Sequence, residues 1–335
     1  MTAPPLKRGV PVIVLLFGAL VVVVLAAPFA GATPISFAHV FSRTIPFQDN
    51  TDAQIFFVAR LPRALAAALV GGTLAAAGVV FQGLLRNPLA TPYTLGVSAG
   101  ASLGAMIAIT FGSTLPFFRI GGVAGASLAG AFLAVVVVYA LAAGRRAGLS
   151  TTVLLLAGVT LNAFFSALIL FVQYLSDFAQ TYRAIRWLMG DLDVASYAPI
   201  LAALPFVLIA FAAFAWLARP LNLLSLGADA AESRGVDVNR AQRLAFFSAS
   251  LATGAAVSVG GPIGFVGIIV PHLVRLLVGA DHRLVLPASI FFGGGFLVLC
   301  DVAARTVISP MELPVGVITA IVGGPFFLWL LMRRR

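Results

Sequence analysis

Long apolar runs alternate with short polar segments along the whole chain. A helix needs about 20 apolar residues to cross the roughly 30 Å hydrocarbon core of a bilayer. The pattern therefore predicts ten membrane-spanning helices in a single polytopic domain over residues 1–335, an all-α integral membrane fold. We place the spans at residues 9–29, 61–82, 94–112, 121–143, 152–175, 197–217, 242–260, 264–279, 286–306 and 315–332.

The first apolar run has two possible interpretations. Lys7 and Arg8 precede an apolar stretch over residues 10–27, which is the order of a cleaved signal peptide. The stretch is about 18 residues long, however, and a usual signal core is shorter. We favour an uncleaved first span and keep partial removal as the alternative.

Composition supports a membrane protein and excludes several other classes. Of 335 residues, 61% are hydrophobic and 10% are charged, with a mean hydropathy of +1.08; soluble domains carry about 25% charged residues. The net charge of +10 could indicate a nucleic-acid partner, but the phenylalanines lie inside apolar runs and not among basic residues. Cys300 is the one cysteine, which excludes an intrachain disulfide and a thiol metal site.

The distribution of basic residues predicts the orientation. With both termini cytoplasmic, 14 of the 21 Lys and Arg fall on inner segments and 7 on outer ones, as the positive-inside rule expects. The inner group is Lys7, Arg8, Arg86, Arg145, Arg146, Arg219, Arg234, Arg240, Arg243, Arg275, Arg283, Arg333, Arg334 and Arg335. The outer group is Arg43, Arg60, Arg63, Arg119, Arg183, Arg186 and Arg305.

A long polar interruption between spans runs over residues 219–243, which this orientation places in the cytoplasm. It contains a short helix signal: Asp229 as an N-cap, Glu232 three residues later to complete a capping box, and Gly235 to end the helix in a left-handed conformation. A short charged helix between two spans is suited to contact a cytoplasmic motor subunit. A solvated loop with one incidental helical turn is the alternative.

Small residues and one amphipathic segment complete the outline of the fold. Gly96, Gly100 and Gly104 repeat at a spacing of four, which indicates closely packed helices, and we interpret the glycine run 293–295 in the same way. Between the fifth and sixth spans, residues 180–192 have an amphipathic pattern typical of a helix at the outer interface. A plain loop remains possible there.

Two arginines mark the outer start of the second span. Arg60 and Arg63, at positions i and i+3, share one helix face, and Pro62 suits a first helical turn. Because guanidinium groups bind carboxylates in a planar, bidentate fork, this face could dock an acidic partner together with Arg305. Ordinary anchoring at the membrane interface is the competing interpretation.

Other chemistry is poorly supported. The glycine-rich run 261–267 lacks the spacing of a phosphate-binding loop, and Lys7 is the only lysine in the chain. The three histidines are scattered, so a metal or catalytic cluster is not expected. Asp301 is the one acid inside a predicted span, and its spacing from Arg305 predicts a local ion pair. A proton- or ion-coupled carrier would need more such acids.

The sequence resembles the permease subunits of binding-protein-dependent ABC importers for iron chelates and vitamin B12. The matching blocks are RLPR (60–63), GGTLAAAGVVFQGLLRNPLATPYTLGVSAGA (71–101), GPIGFVGIIVPHLVRLLVGADHR (261–283), DVAAR (301–305) and ELPVGVITAIVGGPFFLWLL (312–331). These blocks are spread from about residue 55 to the C-terminus. No single block would be specific, but the combination is.

The resemblance implies a type II ABC importer permease that works as a homodimer with two ATPase subunits and a periplasmic binding protein. Acidic residues of that protein would meet Arg60, Arg63 and Arg305. The cytoplasmic loop would couple to the ATPases through Leu224, Leu226, Gly227, Asp229, Glu232, Arg234 and Gly235. The fifth and tenth spans would line the path, with Asn162, Phe165, Ser166 and Gln173 as candidates. Family members often carry leucine at the position of Arg234, so the detailed ATPase contact differs here.

The function expected from this resemblance is the import of an iron chelate, either a siderophore or haem, across the bacterial inner membrane. Cobalamin or an oxyanion is the alternative cargo, and a secondary carrier that works alone is the alternative class. The chain itself would be no enzyme and bind no cofactor, because ATP and Mg²⁺ would sit on the partner ATPases.

Overall fold

The structure, a computed structural model, describes residues 6–112, 122–144, 148–194 and 196–333. α-Helices dominate it, and short turns connect them. In chain order the helices are α1 (Leu6–Ala26), α2 (Phe37–Val40), α3 (Thr51–Gln54), α4 (Leu61–Leu85), α5 (Val97–Phe111), α6 (Gly122–Ala142), α7 (Thr151–Tyr174), α8 (Phe178–Leu188), α9 (Ala198–Leu224), α10 (Ala228–Glu232), α11 (Val238–Gly260), α12 (Val266–Val278), α13 (His282–Thr306) and α14 (Val315–Arg333).

Ten of these helices coincide with the ten predicted spans, which confirms the all-α membrane fold. Seven helical stretches are long and apolar enough to cross a bilayer, and α5, α12 and α14 are shorter apolar helices. α5 has 15 residues, or about 22 Å of helix at 1.5 Å per residue, which is less than the hydrocarbon thickness. It is shorter than the predicted span because a 3₁₀ turn, Pro92–Leu95, occupies the start of that run.

Smaller elements fill the connections. Strands β1 (Ala143–Gly144) and β2 (Gly148–Leu149) form a two-residue antiparallel pair. The predicted amphipathic helix exists as α8, shifted two to four residues towards the N-terminus, because Asp177 caps it by accepting from the Gln180 backbone N–H. Some basic residues that entered the charge count lie outside the described residues: Arg119, Arg145, Arg146, Arg334 and Arg335.

α4 forms the centre of the bundle and is buried along almost its whole length. Its sequence permits this because glycine and alanine let neighbouring helices approach its backbone. A Cβ on Gly293 of α13 would lie 2.5 Å from Ala75 Cβ and 2.7 Å from the Gly71 carbonyl oxygen. The glycine run in the ninth span is therefore a site of backbone contact between α13 and α4, as predicted.

The predicted glycine spacing also packs α5 against α6. A Cβ on Gly100 would lie 2.5 Å from the Gly130 carbonyl oxygen, and one on Gly104 would overlap the carbonyl of Ala126. Gly96 has a different role from the other two. It ends the 3₁₀ turn in a left-handed conformation with φ of 80° and precedes the first residue of α5.

The contact between α4 and α13 fixes the register of the two helices. Because they run in opposite directions, residues eight before Gly71 and eight after Gly293 lie near each other, about 12 Å along each helix. Those residues are Arg63 and Asp301. Helix packing at the two glycines thus brings a cation and an acid together at one end of the bundle.

Candidate functional site

The helical stretch that carries the paired arginines begins earlier than the sequence suggests. α3 continues through a π-helical turn, Ile55–Arg60, directly into α4. α4 itself begins at Leu61 as predicted, but Pro62 follows a π turn within a longer helical stretch and does not open a free helix end. The missing N–H of proline is accommodated there because the hydrogen-bond pattern changes from π to α at this point.

Arg63 is the centre of a buried ion-pair cluster. Its Nε donates to Asp301 Oδ1 at 2.8 Å, and its Nη1 donates to Glu312 Oε2 at 2.6 Å. Arg63 is 7% exposed and Asp301 is fully buried, whereas the side chain of Glu312 is 44% exposed. Only Glu312 among these three therefore has substantial contact with solvent.

Arg305 pairs with the same buried carboxylate. Its Nε lies 3.0 Å from Asp301 Oδ2, an ion-pair contact without hydrogen-bond geometry, and this confirms the predicted pairing four residues apart. Its Nη1 and Nη2 donate to the carbonyls of Ala30 and Ala27 at 3.1 and 3.3 Å. Asp301 thus bridges two arginines from two different helices.

Arg60 binds backbone and no acid among the described residues. Its Nη1 donates to the Pro28 carbonyl at 3.1 Å and its Nη2 to the Thr33 carbonyl at 2.6 Å. Arg60 and Arg305 therefore hold the segment that follows α1 against the ends of α4 and α13. We call Arg60, Arg63, Asp301, Arg305 and Glu312 the outer arginine cluster.

The geometry of the outer arginine cluster differs from that of lipid anchors. Interfacial arginines keep the charged head in water while the stem covers apolar surface. Here all three guanidinium groups are buried against acids and carbonyls, with exposures of 8% or less. Three positive and two negative side chains leave one excess positive charge, which suits the cluster to an additional carboxylate.

At the opposite end of the bundle, the loop between α9 and α11 contains the short helix α10. Its N-cap is Gly227, at φ of 120°, and no side chain caps it. The predicted capping box of Asp229 and Glu232 is therefore wrong: the helix starts two residues earlier, so Asp229 lies inside its first turn, where an acid still favours the helix dipole. Gly235 adopts the predicted left-handed conformation, with φ of 81°.

The predicted coupling residues divide into an exposed and a buried set. Leu224 is buried and helps fix the loop to the bundle, and Gly227 is half-buried. The exposed set is Leu226, Asp229, Glu232, Arg234 and Gly235. Leu226 is 61% exposed, so this surface presents one large apolar side chain among charged ones.

Asn222 connects the end of α9 to the start of α13. Its Oδ1 accepts from the His282 backbone N–H at 2.9 Å and lies 2.7 Å from His282 Nδ1, and its Nδ2 donates to Asp281 Oδ1 at 2.6 Å. Burial of Asp281 opposes its ionisation, but hydrogen bonds from Arg283 and Asn222 outweigh this effect and lower the pKa of its carboxyl. The loop that contains α10 is therefore attached to the helix that carries Asp301 at its other end.

The predicted path residues do not all share one environment. Asn162 Nδ2 donates to the Tyr93 carbonyl at 2.6 Å, Gln173 is half-buried and Ser166 is exposed. Phe165 is 6% exposed and packs inside the chain, which does not fit a residue that lines an open path in this conformation. The exposed face of α7 instead carries apolar side chains, among them Leu156 and Phe171.

Two residues of these sites are absent from the sequence-based assignment. Glu312 lies in the ELPVG block, which the sequence analysis uses only for its resemblance to known permeases. It is the sole acid between the ninth and tenth spans, and this is the signal that could have identified it. The sequence gives no indication that Asn222 is part of a site, because one amide at the end of an apolar helix has many possible roles. Its function depends on a contact sixty residues away in sequence.

Comparison with known proteins places these features in a family. Residues 19–333 match the FecCD transport family. The structure superposes on a metal-chelate type ABC transporter solved in an inward-facing conformation, with a TM-score of 0.82, 31% identity, and coverage of 97% of this chain and 99% of that chain.

The names of three sequence relatives state three different transported compounds. The hemin transport system permease of Yersinia pestis is 38% identical over 94% of this chain and 93% of its own length. The iron(3+)-hydroxamate import permease of Bacillus subtilis is 34% identical over 98% of both chains. The cobalamin import permease of Halobacterium salinarum is 46% identical over 82% of this chain and 72% of its own length.

Proposed function

The chain belongs to the FecCD transport family, and on that premise we propose that it is the membrane permease through which an ABC importer moves an iron chelate. Membership of the family makes it a multi-span transport subunit and not an enzyme. The observation that carries the proposal is the continuous match over residues 19–333, together with the structural match across 97% of the chain. Haem and ferric hydroxamate, named for two relatives that cover over 90% of this chain, are both iron chelates.

The proposed transporter contains two copies of this chain, two cytoplasmic ATPase subunits and a periplasmic binding protein, in the bacterial inner membrane. Both termini lie in the cytoplasm, as the distribution of basic residues favours. ATP and Mg²⁺ bind the ATPases. Closure of the ATPases moves the α10 loop, and the spans alternate between outward and inward openings.

One alternative concerns the cargo and a second concerns the class of transporter. Cobalamin is the second candidate cargo, since a cobalamin permease is 46% identical to this chain. A stand-alone secondary carrier is disfavoured because Asp301, the one acid inside a predicted span, is already bound by Arg63 and Arg305. A carboxylate locked between two guanidinium groups is poorly suited to take up and release a coupling ion.

Transport into proteoliposomes tests the cargo. The permease is reconstituted with its ATPase and binding protein, and uptake of radiolabelled ferric hydroxamate, haem and cobalamin is measured with ATP enclosed at the ATPase side. We expect ATP-dependent uptake of an iron chelate. Uptake of cobalamin alone would replace the proposed cargo, and uptake without ATP would refute the ABC importer assignment.

Docking of the binding protein through the outer arginine cluster is tested with Arg60→Gln. Arg60 is chosen because its guanidinium binds only the Pro28 and Thr33 carbonyls among the described residues, so its loss leaves no acid unpaired. We expect weaker binding of the binding protein and less stimulation of ATP hydrolysis, with the basal rate retained. Arg43→Gln, at an exposed outer arginine, is the matched control; equal behaviour of the two variants would refute docking at the cluster.

A further inference from the structure

The outer arginine cluster already contains the group that a docking partner would have to replace. Among its five members, only Glu312 is exposed, with 44% of its side chain accessible. Arg63, which binds Glu312 at 2.6 Å, is 7% exposed. An acidic side chain that approaches from outside therefore meets the carboxylate of Glu312 before it reaches a guanidinium group.

We propose that Glu312 is an internal counterion that occupies the partner's place on Arg63, and that a carboxylate of the docking protein displaces it. This inference rests on the proposed docking function and adds to it a group of the chain itself, Glu312, that competes with the partner's carboxylate for Arg63. The exchange needs no change in the buried part of the cluster, because Arg63 keeps its separate bond from Nε to Asp301. Only the Nη1 contact changes its partner.

The two acids of the cluster differ in how easily they can be replaced. Asp301 is fully buried and contacts two arginines, so its removal would leave Arg305 without a carboxylate and Arg63 with Glu312 alone. Glu312 makes one ion pair, and nearly half of its side chain is exposed, so water can replace this contact at a smaller cost. The structure therefore combines a permanent counterion with an exchangeable one on the same guanidinium group.

The position of Glu312 in the chain fits this role. It lies in the connection between α13 and α14, outside both helices. The Leu313 backbone N–H donates to the Ala304 carbonyl at 3.0 Å, so the connection is fixed on one side of Glu312. Rotation of the side chain alone can free Arg63 Nη1.

The surface beside Glu312 fits a protein partner. Val307, Ile308 and Met311, which precede it in the same connection, are 50–69% exposed. Apolar residues next to a charged contact are typical of the mixed surface of protein interfaces. If Glu312 withdraws into solvent, the acid that such a partner inserts replaces its charge, so the cluster keeps one excess positive charge throughout the exchange.

The test measures binding of the cognate binding protein to the reconstituted permease–ATPase complex for Glu312→Gln. Glutamine keeps the size of the side chain and removes the charge that competes. Because an ion pair that solvent reaches contributes about 0.2–1 kcal/mol, we expect the Kd to fall by about 1.4- to fivefold, mainly through slower dissociation. Stimulation of ATP hydrolysis should reach half its maximum at a correspondingly lower concentration of binding protein.

Two further variants separate this effect from general charge and from the docking assignment itself. Asp49→Asn, at an exposed acid elsewhere on the outer side, should leave the Kd unchanged if the effect is local. Glu312→Asp keeps the charge but shortens the side chain, and we expect an intermediate Kd. If Glu312→Gln leaves the Kd unchanged or weakens binding while Arg60→Gln also weakens it, docking at the cluster stands and the counterion exchange is refuted. If neither variant changes the Kd, the docking assignment falls as well.

Discussion

Replacement of Asp301 by asparagine should destabilise the protein far more than replacement of Glu312 by glutamine. Asp301 is fully buried, accepts from Arg63 Nε at 2.8 Å and lies 3.0 Å from Arg305 Nε. In Asp301→Asn, Arg63 retains Glu312, but Arg305 retains only the carbonyls of Ala27 and Ala30. A buried guanidinium group would then lack any carboxylate within contact distance.

The expected magnitude follows from the burial of the pair. Breaking a buried ion pair by removal of one partner costs about 3–5 kcal/mol, because an uncompensated charge remains in a medium of low polarity. Glu312→Gln breaks an ion pair that is nearly half exposed on the acid side, and such pairs contribute at most about 1 kcal/mol. Both substitutions remove a carboxylate from Arg63, so the difference between them reflects the burial of Asp301 and its second contact with Arg305.

The assay is the free energy of unfolding in mixed micelles, titrated with denaturing detergent and followed by tryptophan fluorescence. Asp49→Asn serves as the exposed control. A double variant, Asp301→Asn with Arg305→Gln, should recover part of the loss, because it removes the cation that the single change leaves unpaired. If Asp301→Asn costs no more than Glu312→Gln, water reaches the cluster freely and the reasoning from burial is refuted.

Two other predictions concern packing and coupling. Gly71→Ala should lower the midpoint of thermal unfolding, because its Cβ would lie 2.6 Å from Leu297 Cβ and against the backbone of Gly293. The control is Gly18→Ala, where no atom lies within 4 Å of the added Cβ. Equal midpoints for the two variants would contradict the packing argument. Asn222→Ala should reduce the stimulated rate of ATP hydrolysis without a change in the Kd of the binding protein, because it frees the end of α9 from Asp281 and His282. The exposed Asn239→Ala is its control, and full stimulation in Asn222→Ala would show that this connection does not transmit coupling.

The sequence predicts most of this fold because a membrane leaves few choices. Backbone groups in hydrocarbon must bond internally, so every long apolar run becomes a helix. The errors fall where that constraint is weak. The helical stretch before α4 starts at Thr51 in a polar segment, and the cap of α10 falls on Gly227 instead of Asp229, because several residues of one short polar loop can begin a helix.

The candidate site could be predicted only in part. The spacing of Asp301 and Arg305 signals an ion pair by itself, since four residues bring two side chains to one helix face. The participation of Arg63 requires the register between α4 and α13, which the contact of Gly71 with Gly293 determines. Sequence shows that both helices carry glycines, but it does not show which glycines meet.

The same two helices also connect the outer arginine cluster with the end of the bundle that carries the α10 loop. α13 carries His282 near the α10 loop and Asp301 in the cluster, nineteen residues or about 28 Å apart. α4 carries Arg63 at one end and, at the other, Gln82, which accepts from Arg275 Nη1 at 2.5 Å and donates to the Gly267 carbonyl at 3.1 Å. Between these ends the helices touch backbone to backbone at Gly71 and Gly293, where no side chain can rearrange to absorb a shift. A displacement of the cluster must therefore move α4 and α13 as one rigid pair, since a packed contact of this kind changes by discrete motion of whole elements and not by gradual deformation.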